Sequence, residues 1–205
     1  MNKTEVKTGL LFILAALAAN FLALALGLIG ILLSPSHGQS MTGAASPASA
    51  EGALLSAAAI LSLAGLALYL YGVIRASRGH YAFRTALYFA LGGASAGLVA
   101  SYLQSVGSVF SSLAALVSVG CDYLAIRSVL SACEDVSPFG LKKALLPVTV
   151  IYAIMLLITL ASAIVELALS DMRTVNYLNL AVSVVSMAAL AICAAALIKA
   201  RNRIK

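Results

Sequence analysis

Asp122 is the residue of this sequence whose position is hardest to explain by architecture alone. It lies in a long apolar run, Gly107 to Arg127, and shares one helical face with three small residues at spacings of four, three and four: Ser111, Ala115 and Ser118. Ionisable groups inside membrane-spanning helices are costly and often mark ligand sites or proton pathways. We therefore predict that Asp122 binds a ligand or a proton. The alternatives are a structural hydrogen bond and a carboxylate that faces the cytoplasm.

Three more polar side chains interrupt other apolar runs. Asn20 falls near the middle of the first run, Glu166 toward the outer end of the fifth and Asn179 at the start of the sixth. We predict that these three residues bind a ligand in an outward pocket beneath the loop Ser34 to Gly52, because polar groups in spans often line pathways. The alternative is hydrogen bonding between helices, which contributes only about 0.6 kcal/mol per bond and is common in membrane bundles.

One short motif, Gly93-Ala94-Ser95-Ala96-Gly97, fits both G-x-S-x-G and G-x-x-x-G. A serine nucleophile needs a base nearby. The two histidines, His37 and His80, fall in loops on opposite sides of the expected membrane. We therefore predict that Gly93 and Gly97 are helix-packing positions and that the chain is not an enzyme.

The cysteine and histidine spacings give no metal or redox motif. Cys121, Cys133 and Cys193 lie in or beside apolar runs, without a Cys-x-x-Cys or Cys/His pattern. Free cysteines of this kind are commonly small buried packing residues. We expect neither a metal nor another cofactor.

Composition determines which elements must position these residues. The chain has 205 residues, of which 62% are hydrophobic and 10% charged, and its mean hydropathy is +1.06. Runs of about 20 apolar residues cross a membrane, and they must be helical so that backbone groups bond internally. The sequence predicts a single all-α domain, 1–205, that is a polytopic bundle of six transmembrane helices. The expected spans are approximately 9–33, 53–74, 85–104, 107–127, 144–169 and 178–198.

The basic residues predict the orientation of the bundle. Of the 13 Lys and Arg residues, all except Arg173 fall on one side if the chain crosses six times. Cytoplasmic loops carry such an excess of positive charge, so we expect both termini in the cytoplasm of a cell-membrane protein. The net charge of +6 does not indicate nucleic-acid binding, because the cations lie at helix ends rather than in a basic domain.

The six spans read as three hairpins. The segment Tyr71 to Arg75 resembles Tyr123 to Arg127, each closes an even-numbered run, and Ala195 to Lys199 matches more loosely. This echo is consistent with a repeated hairpin. It is also consistent with independent use of an interfacial tyrosine followed by a cation that extends to the membrane surface.

Two function classes fit this layout. Six spans, both ends inside and a long outer first loop resemble the substrate-binding subunits of vitamin-uptake transporters that share an energising module. Ala15 and Ala19 have the Ala-x-x-x-Ala spacing with which such subunits dock that module, a spacing that this alanine-rich chain offers at many places. The resemblance implies small-molecule binding or transport with a partner membrane protein. The alternative is a non-catalytic structural, assembly or accessory protein, with the bilayer, another membrane protein or a second copy as its partner.

Overall fold

A computed structural model describes residues 2–33, 50–103, 108–169 and 172–204 of the chain. These residues form α-helices and short connections, with no strand among them. All six helices are long and apolar enough to cross a membrane, which confirms the predicted all-α, six-span membrane protein. The helices are α1 Lys3–Leu33, α2 Ala50–Gly79, α3 Phe83–Leu103, α4 Ser108–Val136, α5 Leu141–Leu169 and α6 Met172–Arg203.

The helices form a closed ring in chain order. Each helix packs against the next, α1 packs against α6 to close the ring, and α4 also reaches α6 across the interior. The most extensive contacts are those of α1 with α2 and of α3 with α4. A ring of this kind encloses an axis toward which all six helices can direct side chains.

Glycines at every seventh position of α2 allow α1 to approach closely. A Cβ on Gly72 would lie 2.8 Å from the carbonyl oxygen of Gly9, and a Cβ on Gly79 would lie 2.6 Å from the carbonyl oxygen of Asn2. A Cβ on Gly65 would collide with the side-chain amide of Asn20. Small residues allow such close approach of helix backbones in membranes. The backbones of α1 and α2 approach most closely near the amino-terminal end of α1. Near the middle of the contact, the Asn20 side chain lies against α2.

Buried apolar side chains cluster at one end of the ring, which we call the basic end. This end contains the start of α1 and the connections 80–82 and 137–140. Leu10, Phe83 and Leu130 there have no accessible surface. In the described part of the chain, the only buried apolar side chain past a helix midpoint, toward the opposite end, is that of Ala23, and Met155 lies at the midpoint of α5. Within the described residues, the bundle is therefore densely packed at the basic end and loosely packed toward the other.

Polar contacts also join the helices at the basic end. The Glu5 carboxylate and the Arg75 guanidinium form an ion pair of 2.6 Å between α1 and α2. The Ser137 hydroxyl donates a hydrogen bond of 2.9 Å to the carbonyl oxygen of Arg203. A partly exposed ion pair contributes only about 0–1 kcal/mol. These contacts fix the alignment of helix ends more than they stabilise the fold.

Helix α4 extends beyond the end that the sequence predicted. The expected span ended at Arg127, yet the helix continues to Val136. The additional turns are amphipathic, because Val129, Leu130 and Cys133 are fully buried among neighbouring helices. Asp122 consequently lies at the midpoint of α4, about 21 Å from each helix end.

Candidate functional site

The axis of the ring contains a central cavity of about 270 Å³ near the midpoints of the helices. Every helix contributes to its wall, and one lining residue from each helix in turn is Asn20, Tyr69, Gly93, Asp122, Tyr152 and Leu190. The rest of the wall is mainly aliphatic. A few polar groups in an otherwise apolar concave space are typical of small-molecule sites.

A second cavity of about 250 Å³ joins the first. The two share four lining residues: Asn20, Asp122, Tyr152 and Leu190. The second cavity adds side chains that lie farther from the basic end: Leu24, Ser62, Met155 and Ser186. The combined chamber therefore begins at the packed half of the bundle and extends into the loosely packed half.

The Asp122 carboxylate faces this chamber without a partner. Its side chain is exposed to the cavity. Within the described residues, it takes part in no hydrogen bond and no ion pair. Its Oδ1 atom lies 2.8 Å from the point that a Cβ of Gly93 would occupy. The missing side chain at Gly93 thus provides the space in which the carboxylate sits, and neighbouring Ser118 donates a hydrogen bond of 3.0 Å to the Gly93 carbonyl oxygen.

Asn20 occupies a comparable place in the first hairpin. Its amide lies against Gly65 of α2, just as the Asp122 carboxylate lies against Gly93 of α3. In each hairpin a polar side chain of one helix faces a glycine of the other. Both polar groups line the wall that the two cavities share.

Two tyrosines complete the polar part of the wall. The Tyr69 hydroxyl is buried and has no hydrogen-bond partner among the described residues, and it lies within electrostatic range of Asp122 and the Cys193 thiol. Tyr152, with 7% of its surface accessible, lies within electrostatic range of Asp122, Tyr69 and the Cys193 thiol. A buried hydroxyl without a partner costs about 1–3 kcal/mol. The Tyr69 hydroxyl is thus a donor available to a ligand.

A polar contact between α4 and α5 lies on the basic side of the cavity. The Tyr123 ring lies 5.7 Å from the Tyr152 ring, centroid to centroid, at an interplanar angle of 48°. The Tyr123 and Thr149 hydroxyl oxygens are 3.1 Å apart, within hydrogen-bond distance. This contact holds Tyr152 in place at the boundary between the cavity and the packed core.

The structure brings together two of the four ligand-binding residues that the sequence predicted. Asn20 and Asp122 line both cavities. Glu166 and Asn179 belong to α5 and α6, but their side chains lie outside the described part of the chain, as do residues 34–49. The outward pocket beneath the first loop therefore stays a prediction.

The predicted packing glycines lie in the same region. Gly93 is buried, and a Cβ on Gly97 would lie 3.4 Å from the Ser118 Oγ atom, so both face α4 and both line the central cavity. Ser95 between them is exposed and is not among the residues that line either cavity. The G-x-S-x-G reading thus gains no supporting geometry.

Sequence reasoning did not identify the tyrosines of the site. Tyr152 belongs to a polar pattern on α5 with Thr149 and Thr159, and this pattern is the signal that could have indicated it. Tyr69 gave no such signal, because a tyrosine near the end of an apolar run is typical of the membrane interface. Only the extension of α2 to Gly79 places Tyr69 deep in the bundle.

The chemistry available to this cavity is binding by one carboxylate, an amide and two phenols. Among the described residues, no lysine, arginine or histidine lines either cavity. The described residues contain no group of three or more His, Cys, Asp or Glu side chains that could hold a metal ion. Comparisons of the chain with protein-family models, with curated proteins and with solved structures find no match.

Proposed function

We propose that this multi-pass membrane protein binds a small molecule in the central cavity and takes part in its transport, without catalysing a reaction. The observation that carries the proposal is the chamber at the helix midpoints, lined by all six helices, with Asp122 unpartnered in its wall. A protein that serves only as a scaffold gains nothing from a carboxylate at this depth, because intramembrane charges are expensive. A ligand site would explain why the protein tolerates this cost.

The size of the chamber supports a small organic ligand. An engineered cavity of about 150 Å³ is large enough to bind benzene. Each of the two joined cavities is larger, at about 270 and 250 Å³. A compact metabolite therefore fits at the level of Asp122.

The charge distribution supports uptake from outside. The packed end of the bundle carries the basic segments, including Lys3, Arg78, Lys142 and Arg203. Because positive loops remain in the cytoplasm, we place this end and both termini on the cytoplasmic side of a cell membrane. The chamber then extends toward the outside, which is the arrangement of a binding site loaded from that face. An energising partner protein would supply the conformational change that releases the ligand inward.

Thermal-shift screening tests the proposal. The protein is purified in dodecyl maltoside and its unfolding midpoint is measured against a library of metabolites. A ligand at 100 times its Kd stabilises the native state by about 2.7 kcal/mol, which corresponds to a rise of about 5–10 °C for a chain of this length. We expect at least one compound to raise the midpoint in this way.

A matched pair of variants locates the binding site. Gly97→Leu places a side chain in the cavity wall. Gly120→Leu places the same side chain at a residue that lines neither cavity, where no atom lies within 4 Å of the new Cβ. The shift should disappear in Gly97→Leu and remain in Gly120→Leu. A library without any stabilising compound, or an equal shift in both variants, would contradict a ligand site in this chamber and favour a structural role.

A further inference from the structure

We infer that the ligand is a small, water-soluble organic cation whose positive charge pairs with Asp122. This inference rests on the proposed function, namely that the central cavity is a ligand site, and it specifies the chemical class of the ligand. Three observations carry it: the charge of the wall, the composition of the wall, and the position of the unpartnered hydroxyl.

The negative charge of the wall has no positive partner among the described residues. Within the part of the chain that the structure describes, Asp122 is the only charged residue that lines either cavity, and no residue there pairs with it. Among the described residues, the titratable groups that interact with it from other helices are Tyr69 and Tyr152, and neither carries positive charge. A carboxylate without compensation is strongly disfavoured away from water. Such a carboxylate takes up a proton unless a positive charge accompanies it. A cation that enters the cavity supplies that charge, whereas an anion would be repelled.

The composition of the wall favours an organic cation over a bare metal ion. Hard inorganic cations require a shell of oxygen ligands, about six to eight for calcium. Here most of the wall is aliphatic, with Leu17, Leu66 and Leu190 beside the polar groups. Two of the side-chain hydroxyls already donate to carbonyl oxygens, Ser118 to Gly93 and Ser186 to Val182. Methyl and methylene groups on a charged nitrogen would contact the aliphatic wall well.

The aromatic residues fit the same ligand class. Tyr69 and Tyr152 line the cavity together with Asp122, and aromatic rings beside a carboxylate recur in sites for ammonium groups. The buried Tyr69 hydroxyl offers a hydrogen bond to an acceptor oxygen elsewhere on the ligand. The geometry thus suits a compact ammonium compound that carries a hydroxyl, ether or carbonyl oxygen.

Choline and its uncharged isostere 3,3-dimethylbutan-1-ol provide the test. The two molecules have the same shape and hydroxyl group. Choline has a positively charged quaternary nitrogen where the isostere has a neutral quaternary carbon. Unfolding midpoints of the purified protein in dodecyl maltoside are measured with each compound, with tetramethylammonium, with tetraethylammonium, and with potassium chloride at equal ionic strength. We expect one or more of the organic cations to stabilise the protein, and the isostere and potassium chloride to have no such effect.

The Asp122→Asn variant tests the role of the carboxylate. Asparagine keeps the size of the side chain and removes its charge. Loss of one partner of a desolvated charge pair should weaken affinity for the stabilising cation at least about 30-fold. Asp122→Glu, which keeps the charge, should retain more of the affinity. Unchanged affinity in Asp122→Asn would overturn the inference. If that variant does not fold, the comparison of choline with its isostere in the wild-type protein decides.

The outcomes separate the two claims. Neutral or anionic compounds that stabilise the wild type but not Gly97→Leu, with no effect of the organic cations, would overturn the cation and leave the cavity as a binding site. Equal stabilisation by potassium chloride would also overturn the organic cation. Stabilisation seen only in phosphatidylcholine nanodiscs, and not in phosphatidylglycerol nanodiscs, would replace the soluble ligand with a lipid headgroup. No stabilisation by any compound would contradict both claims.

Discussion

Replacing Gly93 with alanine should disturb the proposed ligand site while leaving the fold intact. The new Cβ would lie 2.8 Å from the Asp122 Oδ1 atom, which is 0.6 Å short of the 3.4 Å at which ordinary van der Waals contact begins. It would also lie 3.2 Å from the Cys121 Cβ atom. The carboxylate can rotate away, whereas the Cβ of Cys121 moves only with the backbone of α4. We therefore expect the carboxylate to move most.

The size of the effect follows from two opposing contributions. Alanine in place of glycine inside a helix stabilises it by about 0.8–1 kcal/mol, and crowding in a packed interior costs about 1–3 kcal/mol. The free energy of unfolding of Gly93→Ala should thus change from about zero to a loss of about 2 kcal/mol. Displacement of the carboxylate should cost a charge-assisted contact worth about 1.5–3 kcal/mol, which weakens ligand affinity about 10- to 150-fold.

Gly92→Ala is the matched control on the same helix. Its Cβ would approach nothing closer than the Cys121 Sγ atom at 3.6 Å, an ordinary contact. This variant should gain the full helix propensity, about 1 kcal/mol, and raise the unfolding midpoint by about 2–4 °C. Both variants are measured by thermal unfolding with and without the compound that stabilises the wild type. Equal stabilisation and unchanged affinity in both would refute the described placement of Asp122 against Gly93.

Two other substitutions test the free-energy cost of the buried Tyr69 hydroxyl and the close packing of α1 against α2. Tyr69→Phe should raise the unfolding midpoint of the ligand-free protein, because it removes a buried hydroxyl that costs about 1–3 kcal/mol; a lowered midpoint would mean that this hydroxyl has a partner. Gly72→Ala should destabilise the protein by about 1–2 kcal/mol, because its Cβ would lie 2.8 Å from the Gly9 carbonyl oxygen. Gly27→Ala, which meets nothing within 4 Å, is the control and should be stabilising.

The fold was predictable because it depends on local properties of the sequence. Apolar length determines how many helices can cross a membrane, and each helix satisfies its own backbone hydrogen bonds. Asp122 and Asn20 were identifiable for the same reason, since a polar group in an apolar run is unusual without reference to its neighbours. The end of α4 was less predictable, because the continuation past Arg127 depends on burial of Val129 and Leu130 by other helices.

The arrangement of the site could not be read from the sequence. Which face of each helix points to the axis depends on how the helices rotate as they pack, and a single sequence contains no record of those contacts. The pairing of Asn20 with Gly65 and of Asp122 with Gly93 joins residues 45 and 29 positions apart, respectively. Tyr69 faces the axis only as a consequence of that packing.

The most direct test of the account is the rate at which thiol reagents reach the chamber from outside. Ser118→Cys, in a chain whose Cys121, Cys133 and Cys193 are replaced by serine, places one thiol in the cavity wall. Intact cells are treated with a trimethylammonium-ethyl methanethiosulfonate and with its sulfonate-ethyl counterpart. We predict that the cationic reagent modifies the introduced thiol far faster than the anionic reagent does. Asp122→Asn should remove this difference in rate. No modification by either reagent, or equal rates with Asp122 present, would contradict an outward-facing chamber whose charge is set by that carboxylate.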